Sequence, residues 1–407
     1  VGFPLALVLV FLRFSFLHEI LATHAHIDLY LVLVFGAVCT ICAIFGGGLQ
    51  RTFHSRAAQF WLLFLFWLAL DCPFSNWKAD SLSSVLSYAR VNFSILFIIA
   101  GFTLTLQECY RMMTAIGLAA VVNVLDGAEF VGDQARLALG FGSISNANDY
   151  AAHLLMVLPF LLWLGLTSSN RVLRVVWWGF TVAGILIGSR TGSRGALIAF
   201  LATILFLVLR ARAPVRVGLL LSLPLLAAVL IFFLPQAVRN RYQTLFSDES
   251  QGNTEAEESY RGRRYLLETS MQFALLHPVF GVGPNEFLIT EGAAAQKEGR
   301  HGAWQVTHNS YTQVASEDGI PAFIFFLAAM VTTFRIDHRI YARCAPIPRL
   351  NRARIATLCL MVSLVAFGVA IFFLSLAYSM YLPALTGLSV ALERAVNHEL
   401  QSKPAAA

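Results

Sequence analysis

The sequence predicts an all-α polytopic integral membrane protein, with about 12 transmembrane helices and one large external loop that itself contains helices. Three observations predict it. Of 407 residues, 57% are hydrophobic and 13% charged, whereas a soluble domain carries about 25% charged residues. The apolar residues fall in uninterrupted runs, such as AQFWLLFLFWLAL (58–70) and ATLCLMVSLVAFGVAIFFLSLA (356–377). Runs of this kind match the roughly 20 residues that cross a bilayer core, whereas a transmembrane β-barrel shows short alternating segments. The charges, finally, are sorted between alternate connections.

In chain order the expected spans centre on 1–17, 27–46, 57–72, 91–106, 110–126, 150–167, 173–188, 193–210, 215–234, 319–334, 355–377 and 379–392. The first is expected to begin directly inside its apolar run, with no charged leader ahead of it. Three regions follow: helices one to nine in 1–234, a polar loop at 235–318, and helices ten to twelve with a C-terminal tail in 319–407. The loop carries 11 of the 23 acids. Its acids Asp248, Glu249, Glu255, Glu257 and Glu258 suggest a flexible, solvated stretch. Six cysteines are scattered. CTIC (39–42) has redox or metal spacing, but inside an apolar helix two small packing residues explain it better.

Arginine and lysine placement orients the chain. One set of alternate connections holds Arg51, Arg56, Arg111, Arg171, Arg174, Arg210, Arg212, Arg216 and six arginines between 335 and 354, 14 basic residues in all. The other short connections hold five: Lys78, Arg90, Arg136, Arg190 and Arg194. The first set is therefore cytoplasmic, as are both termini, and the long loop lies on the opposite face. The net charge of +6 is thus mainly a topology signal. Basic residues divided between two sides of a membrane argue against nucleic acid as a partner.

Polar features gather on the outer face. In TGSRGALIAF (191–200), Ser193 can cap a helix whose first turn contains Arg194. An arginine there opposes the helix dipole and the positive-inside rule. It fits a snorkelling surface arginine or a bidentate phosphate clamp. In SYRGRRYLLETSMQFALLHPVFGVGPNEF (259–287), a partly amphipathic helix is expected from Arg264 to Leu276. His277-Pro278 ends it and a glycine-rich turn follows. Arg261, Arg263 and Arg264 stand at its start, either as a solvated basic stretch or as a second clamp arm. His308, followed by Asn309 and Tyr311, precedes the tenth span. Imidazole is the natural general base near neutral pH, and Asn309 or Tyr311 could orient it. In GSISNANDYAA (142–152), Asn148 or Asp149 is expected to cap the sixth span, or with Asn146 to form a polar floor beneath sugar or phosphate. His153, within that span, would face the bundle interior. Glu317 and Asp318 suggest only helix capping. The sequence has no HExxH, paired-cysteine ladder or P-loop, so neither a metal site nor direct ATP coupling is expected. A transporter would need ionisable residues in mid-span, and the expected spans are nearly free of them.

The ordered set TGSRGALIAF, HPVFGVGPNEF and THNSYTQVASEDGIPAF, with SISNANDYA upstream, resembles the O-antigen ligase and polymerase superfamily. In motifs the resemblance covers roughly 142–326, and in topology most of the chain. It implies a metal-independent, inverting glycosyltransferase of the bacterial inner membrane, with its site facing the periplasm and no cofactor. The implied donor is an undecaprenyl diphosphate-linked glycan and the implied acceptor is lipid A-core. A repeat-unit polymerase or a protein O-oligosaccharyltransferase shares the chemistry and differs in acceptor. Arg194 matches the arginine of the family's Ser-Arg-Gly motif and His308 matches its histidine. Arg264 fits the helix register of the loop arginine best, beside Arg261 and Arg263. The aromatic residue often found one turn into that helix is missing, its place taken by Glu268 or Thr269.

Overall fold

The computed structural model describes residues 2–27, 30–130, 136–139, 142–243 and 254–402, with no side-chain description at 231 or 254–260. Every regular element among them is helical. The N-terminal half comprises α1 (Gly2–Ser15), α2 (Leu17–His24), α3 (Leu31–Phe45), α4 (Gly48–Phe53), α5 (Arg56–Asp71), α6 (Lys78–Ser87), α7 (Ser94–Phe102), α8 (Leu106–Glu129), α9 (Ala147–Thr167) and α10 (Arg171–Arg190). It is followed by α11 (Arg194–Arg210), α12 (Ala213–Phe233), α13 (Gln236–Gln243), α14 (Thr254–Leu276), α15 (Phe287–Lys297), α16 (Ser310–Glu317), α17 (Gly319–Cys344), α18 (Asn351–Ala370) and α19 (Tyr381–Ser402).

Backbone polar groups in hydrocarbon must be satisfied within the segment, which is why apolar runs become helices. Their free ends are closed by side chains. Thr105 and Glu108 form a reciprocal capping box at α8. Asn170 caps α10, accepting from Val172 N (2.9 Å) and Leu173 N (3.3 Å). Ser193 caps α11, as expected from its position. At α9 the cap is Asn146, not Asn148 or Asp149, and it accepts from Asn148 N at 2.8 Å.

Among the described residues, eight helices are long and apolar enough to cross a membrane, or nine if the α1–α2 pair, bent by 60°, is one span. This is a helical membrane protein, but the expected count of about 12 exceeds what length and composition support. The shortfall has physical causes. Helix α3 has 15 residues and α11 has 17, so at 1.5 Å per residue neither reaches the roughly 30 Å of a hydrocarbon core unaided. Helix α19 carries Glu393, Arg394 and Glu399. The expected span at 91–106 begins earlier, in a continuous stretch Lys78–Phe102 that includes a π-helical segment at Tyr88–Phe93. Helix α17 runs beyond the expected 319–334 and encloses Asp337, which is fully buried and accepts from Ser389 Oγ at 3.0 Å. Helix α14 starts at Thr254, so Glu255, Glu257 and Glu258 are helical, not irregular, while Asp248 and Glu249 lie outside the described residues.

Polar contacts lock the bundle. Trp61 Nε1 donates to Thr386 Oγ1 at 2.9 Å, joining α5 to α19. His153 is fully buried between Asn123 Nδ2 (2.7 Å) and the Tyr381 hydroxyl (3.0 Å), tying α8, α9 and α19 together. At the end of the bundle where α7 finishes, Arg394 donates to the carbonyls of Ala100 (2.5 Å) and Thr103 (2.6 Å), and Arg51 donates to that of Gly101 (3.1 Å). These guanidinium groups satisfy the orphan carbonyls of the α7 C-terminus and complement its dipole. All six cysteines are free, including Cys39 and Cys42.

At the opposite end, the turn after α14 docks on the α16–α17 junction. Val282 N donates to Ser316 O (2.9 Å), Gly283 N to Glu317 O (2.8 Å) and Ile320 N to Pro278 O (2.8 Å). Gly281 adopts φ 61°, and a β-carbon there would collide with the Glu317 backbone, so this position requires glycine. Beneath the turn, the Tyr378 hydroxyl lies 2.7 Å from Glu317 Oε2 and 2.6 Å from Asp318 Oδ2. A phenol donates one proton. Two such contacts therefore require one of the carboxyl groups to be protonated and to donate back. Burial pushes Glu317 up to about 7, against hydrogen bonds from Tyr378 and Phe287 N. Burial, then Glu317 and Asp71, raise Asp318 well above the carboxylate range. These acids form a hydrogen-bonded junction, beyond the capping role expected of them.

A carboxyl group raised in the folded state stabilises it fully below its unfolded value. That contribution is lost as pH rises through the folded value. For Glu317 the window runs from 4.5 to about 7. The hydrogen-exchange protection factors of Val282 and Gly283, corrected for the intrinsic rate, should therefore fall as pH rises through this window. Glu317→Gln, which keeps the shape without the charge, should flatten the response. Unchanged protection factors across the window would refute this account.

Candidate functional site

The α10–α11 turn is the anchor. Gly192 adopts φ 61°, where a β-carbon would stand 3.2 Å from Arg241 Cδ. Arg241, from α13, donates Nε to Gly192 O at 3.0 Å. On the other side Arg136 donates Nε to Thr191 O at 2.6 Å and Nη2 to Asn148 Oδ1 at 2.5 Å. The Tyr242 hydroxyl reaches Ser189 O at 2.7 Å and Leu137 N reaches Arg190 O at 3.0 Å. The turn is thus held between two guanidinium groups, and Arg194 follows it, half-buried in the first turn of α11.

Of the three loop arginines, Arg263 faces this turn. It is half-buried and lines a crevice with Asn148, Ser193, Phe373 and Leu374. Arg264 points elsewhere, pairing with Glu268 at 2.8 Å with both side chains more than 60% exposed. Exposed pairs of this kind contribute about 0–1 kcal/mol. Arg261 is exposed. The helix register that favours Arg264 in the sequence therefore leads to the outer face of α14, while its neighbour points inward.

Arg136 and Arg263 feel the charges of their neighbours. Burial lowers Arg263, followed by Arg194 and Arg241. Burial also lowers Arg136 to about 10, followed by Arg241 and Arg263, with Tyr242 opposing and Arg194 adding to the fall. Each charge disfavours the next, which is the field an incoming polyanion would relieve.

His308 borders this cluster. Burial lowers its imidazole below the usual 6.5, and the Arg263 guanidinium lowers it further. At neutral pH the ring is therefore uncharged and able to accept a proton. Its backbone is held in the left-handed region, φ 53°, where a non-glycine residue stores about 1–3 kcal/mol. Ser375 holds it there: His308 N donates to Ser375 Oγ at 2.8 Å, and Thr307 Oγ1 lies 3.0 Å from the same oxygen.

The remaining sequence-derived residues have structural tasks. Asn309 caps α16, accepting from Tyr311 N (2.9 Å) and Thr312 N (3.2 Å). The Tyr311 hydroxyl donates to Gly368 O at 2.7 Å and its ring packs on Phe326 and Phe372. Tyr311 thereby fixes α16 against α17 and α18, and the Asn309 Oδ1 and Tyr311 hydroxyl are engaged there and not with His308. Asn148 positions Arg136, and Asp149 lies half-buried in the first turn of α9. Arg136, Arg241 and Ser375 escaped the sequence reading. The only signal for Arg136 was its place on the side that disfavours arginine. Among the described residues, no three His, Cys, Asp or Glu side chains group closely enough to hold a metal ion.

If Arg263 lowers the imidazole through space, Arg263→Gln should move the His308 titration up toward 6.5, read by NMR of labelled histidine. A titration that stays in place would separate the two groups.

Residues 188–327 match the family model described as O-antigen ligase. No curated protein matches the chain. The matched segment contains Arg194, Arg241, Arg263 and His308, while Arg136, Asn148 and Ser375 lie outside it. The residues that converge around the α10–α11 turn thus come mainly from the part of the chain that matches O-antigen ligase, and that match supports the O-antigen ligase-like superfamily.

Proposed function

We propose that the protein is an inverting, metal-independent glycosyltransferase that moves a glycan from undecaprenyl diphosphate to an acceptor hydroxyl, with lipid A-core as the acceptor. The observation that carries this reading is the grouping of four guanidinium groups about the α10–α11 turn, with His308 within reach of the Arg263 charge. Arg194 and Arg263, backed by Arg136 and Arg241, neutralise the diphosphate as it leaves. His308 takes the proton of the acceptor hydroxyl as its oxygen attacks the anomeric carbon. The new glycosidic bond forms while the bond from that carbon to the diphosphate oxygen breaks. A single displacement inverts the centre, and the diphosphate linkage supplies the driving force.

In this proposal the site faces the periplasm of the bacterial inner membrane. The arginines at 51, 56, 111, 171, 174, 210, 212, 216 and 335–354 lie in or beside the helix ends away from the α10–α11 turn, a side that the positive-inside rule assigns to the cytoplasm. Twelve crossings, with both termini cytoplasmic, follow if α1, α3, α11 and α19 cross together with the eight longer spans. The loop between α12 and α17 then stands in the periplasm, where a donor keeps its lipid in the bilayer and presents its sugar outside.

Purified His308→Ala should lose roughly a hundredfold or more in transfer rate, and Arg194→Ala and Arg263→Gln roughly a hundredfold each. A chelator should leave the native rate unchanged. Full transfer by correctly inserted variants would refute the mechanism. Deleting the gene identifies the acceptor. Bare core with long lipid-linked polymer marks a ligase, and core with a single repeat unit a polymerase. Unchanged lipopolysaccharide with unglycosylated protein marks an oligosaccharyltransferase.

A further inference from the structure

A second feature lies apart from the arginine cluster. Helices α1, α3 and α7 leave a lateral groove of about 560 Å³ between them. Its walls are apolar, including Leu9, Val32, Ala37 and Ile95. Helix α3 packs loosely: only Cys39 and Ala43 are buried, and a β-carbon on Gly36, which lines the groove, would meet nothing within 4 Å. Arg13, His18 and Arg90 line one end of the groove, and the two arginines make it cationic.

Arg13 donates Nη2 to Asn92 at 2.7 Å, while its Nε is buried without a hydrogen-bond partner. Arg90 is exposed, and among the described residues no carboxylate pairs with it. It sits in the π-helical segment Tyr88–Phe93, a rare geometry that recurs at functional positions. Here the segment lets Ala89, Arg90 and Val91 line the groove while Asn92 turns to Arg13. The nearby carboxylate, Glu19, accepts from Ser143 N (2.7 Å) and Ser143 Oγ (2.6 Å) and lies 3.6 Å from His18.

We propose that this groove binds an anionic phospholipid, with one acyl chain lying along α3 and the phosphate held by Arg13 and Arg90. Charge complementarity selects the headgroup, since a guanidinium binds phosphate through charge-assisted hydrogen bonds. The apolar walls select the chain. The lipid also bears on the candidate site. Asn92, which Arg13 holds, donates Nδ2 to Tyr378 O at 2.9 Å, and Tyr378 is three residues from the serine that positions His308.

The test is native mass spectrometry of the full chain released from detergent. The probes are phosphatidylglycerol, diacylglycerol with the same chains, and undecaprenyl phosphate. Phosphatidylglycerol should be retained at least about tenfold more tightly than diacylglycerol, the scale of a charge-assisted hydrogen bond. Arg90→Gln should abolish that preference. Gly36→Leu, which places a side chain in the groove, should weaken retention of phosphatidylglycerol by a similar factor. Both substitutions are at positions without tight packing, and each serves as a check if the other inserts poorly. Equal retention of diacylglycerol, preferential retention of undecaprenyl phosphate, or variants that behave as the native chain would each overturn the proposal. None of these readouts depends on glycosyl transfer.

Discussion

Four guanidinium groups gathered at one helix junction repel one another, and hydrogen bonds to the α10–α11 turn hold two of them in place against that repulsion. Cations cannot be buried together unless backbone acceptors hold them in place. The turn supplies those acceptors, with Thr191 and Gly192 carbonyls bound by Arg136 and Arg241. Arg194 and Arg263 are thereby left beside a concentration of positive charge. Burial lowers the neighbouring His308 imidazole, and the Arg263 charge lowers it further.

The second requirement is that Arg263 and His308, separated by 45 positions in the chain, stay in register. The glycine turn after α14 meets it by hydrogen-bonding to the end of α16 and the start of α17. That junction stands on Glu317, Asp318 and Tyr378, which share too few protons for both carboxyl groups to be ionised. Breaking a buried network of this kind is expensive because it strands polar atoms without partners. The helix that carries Arg263 and the segment that carries His308 are therefore tied together. Ser375, from the connection between α18 and α19, adds a third fixed point by holding His308 in its left-handed conformation.

Local sequence rules read some residues well and others only approximately. Ser193 was legible as a cap because capping depends on a short polar side chain beside its own helix. Asn146, Asn148 and Asp149 all satisfied the same rule, and only the path of the chain chose Asn146. Asn309 looked like a partner for His308, but the same rule operates there and its oxygen serves the α16 amides. Arg263 and Arg264 differ by one step of about 100° around a helix. Composition cannot tell which of them faces inward, because that depends on what the helix packs against. Arg136 and Arg241 bind a turn 55 and 49 positions away, and no local pattern encodes those contacts.

What the sequence determined by itself was the solvent and the secondary structure. Long apolar runs admit little besides helices in hydrocarbon, and the separation of arginines between alternate connections encodes an orientation. It also marked Arg194 and His308 as residues out of keeping with their surroundings. The tertiary structure alone decided which polar groups meet. It turned Arg263 inward, recruited Arg136 and Arg241, and gave Glu317 and Asp318 a shared phenol. The physical reason is range: helix formation and membrane insertion depend on neighbours within a turn or two, whereas a site is made by long-range packing that closes only in the folded chain.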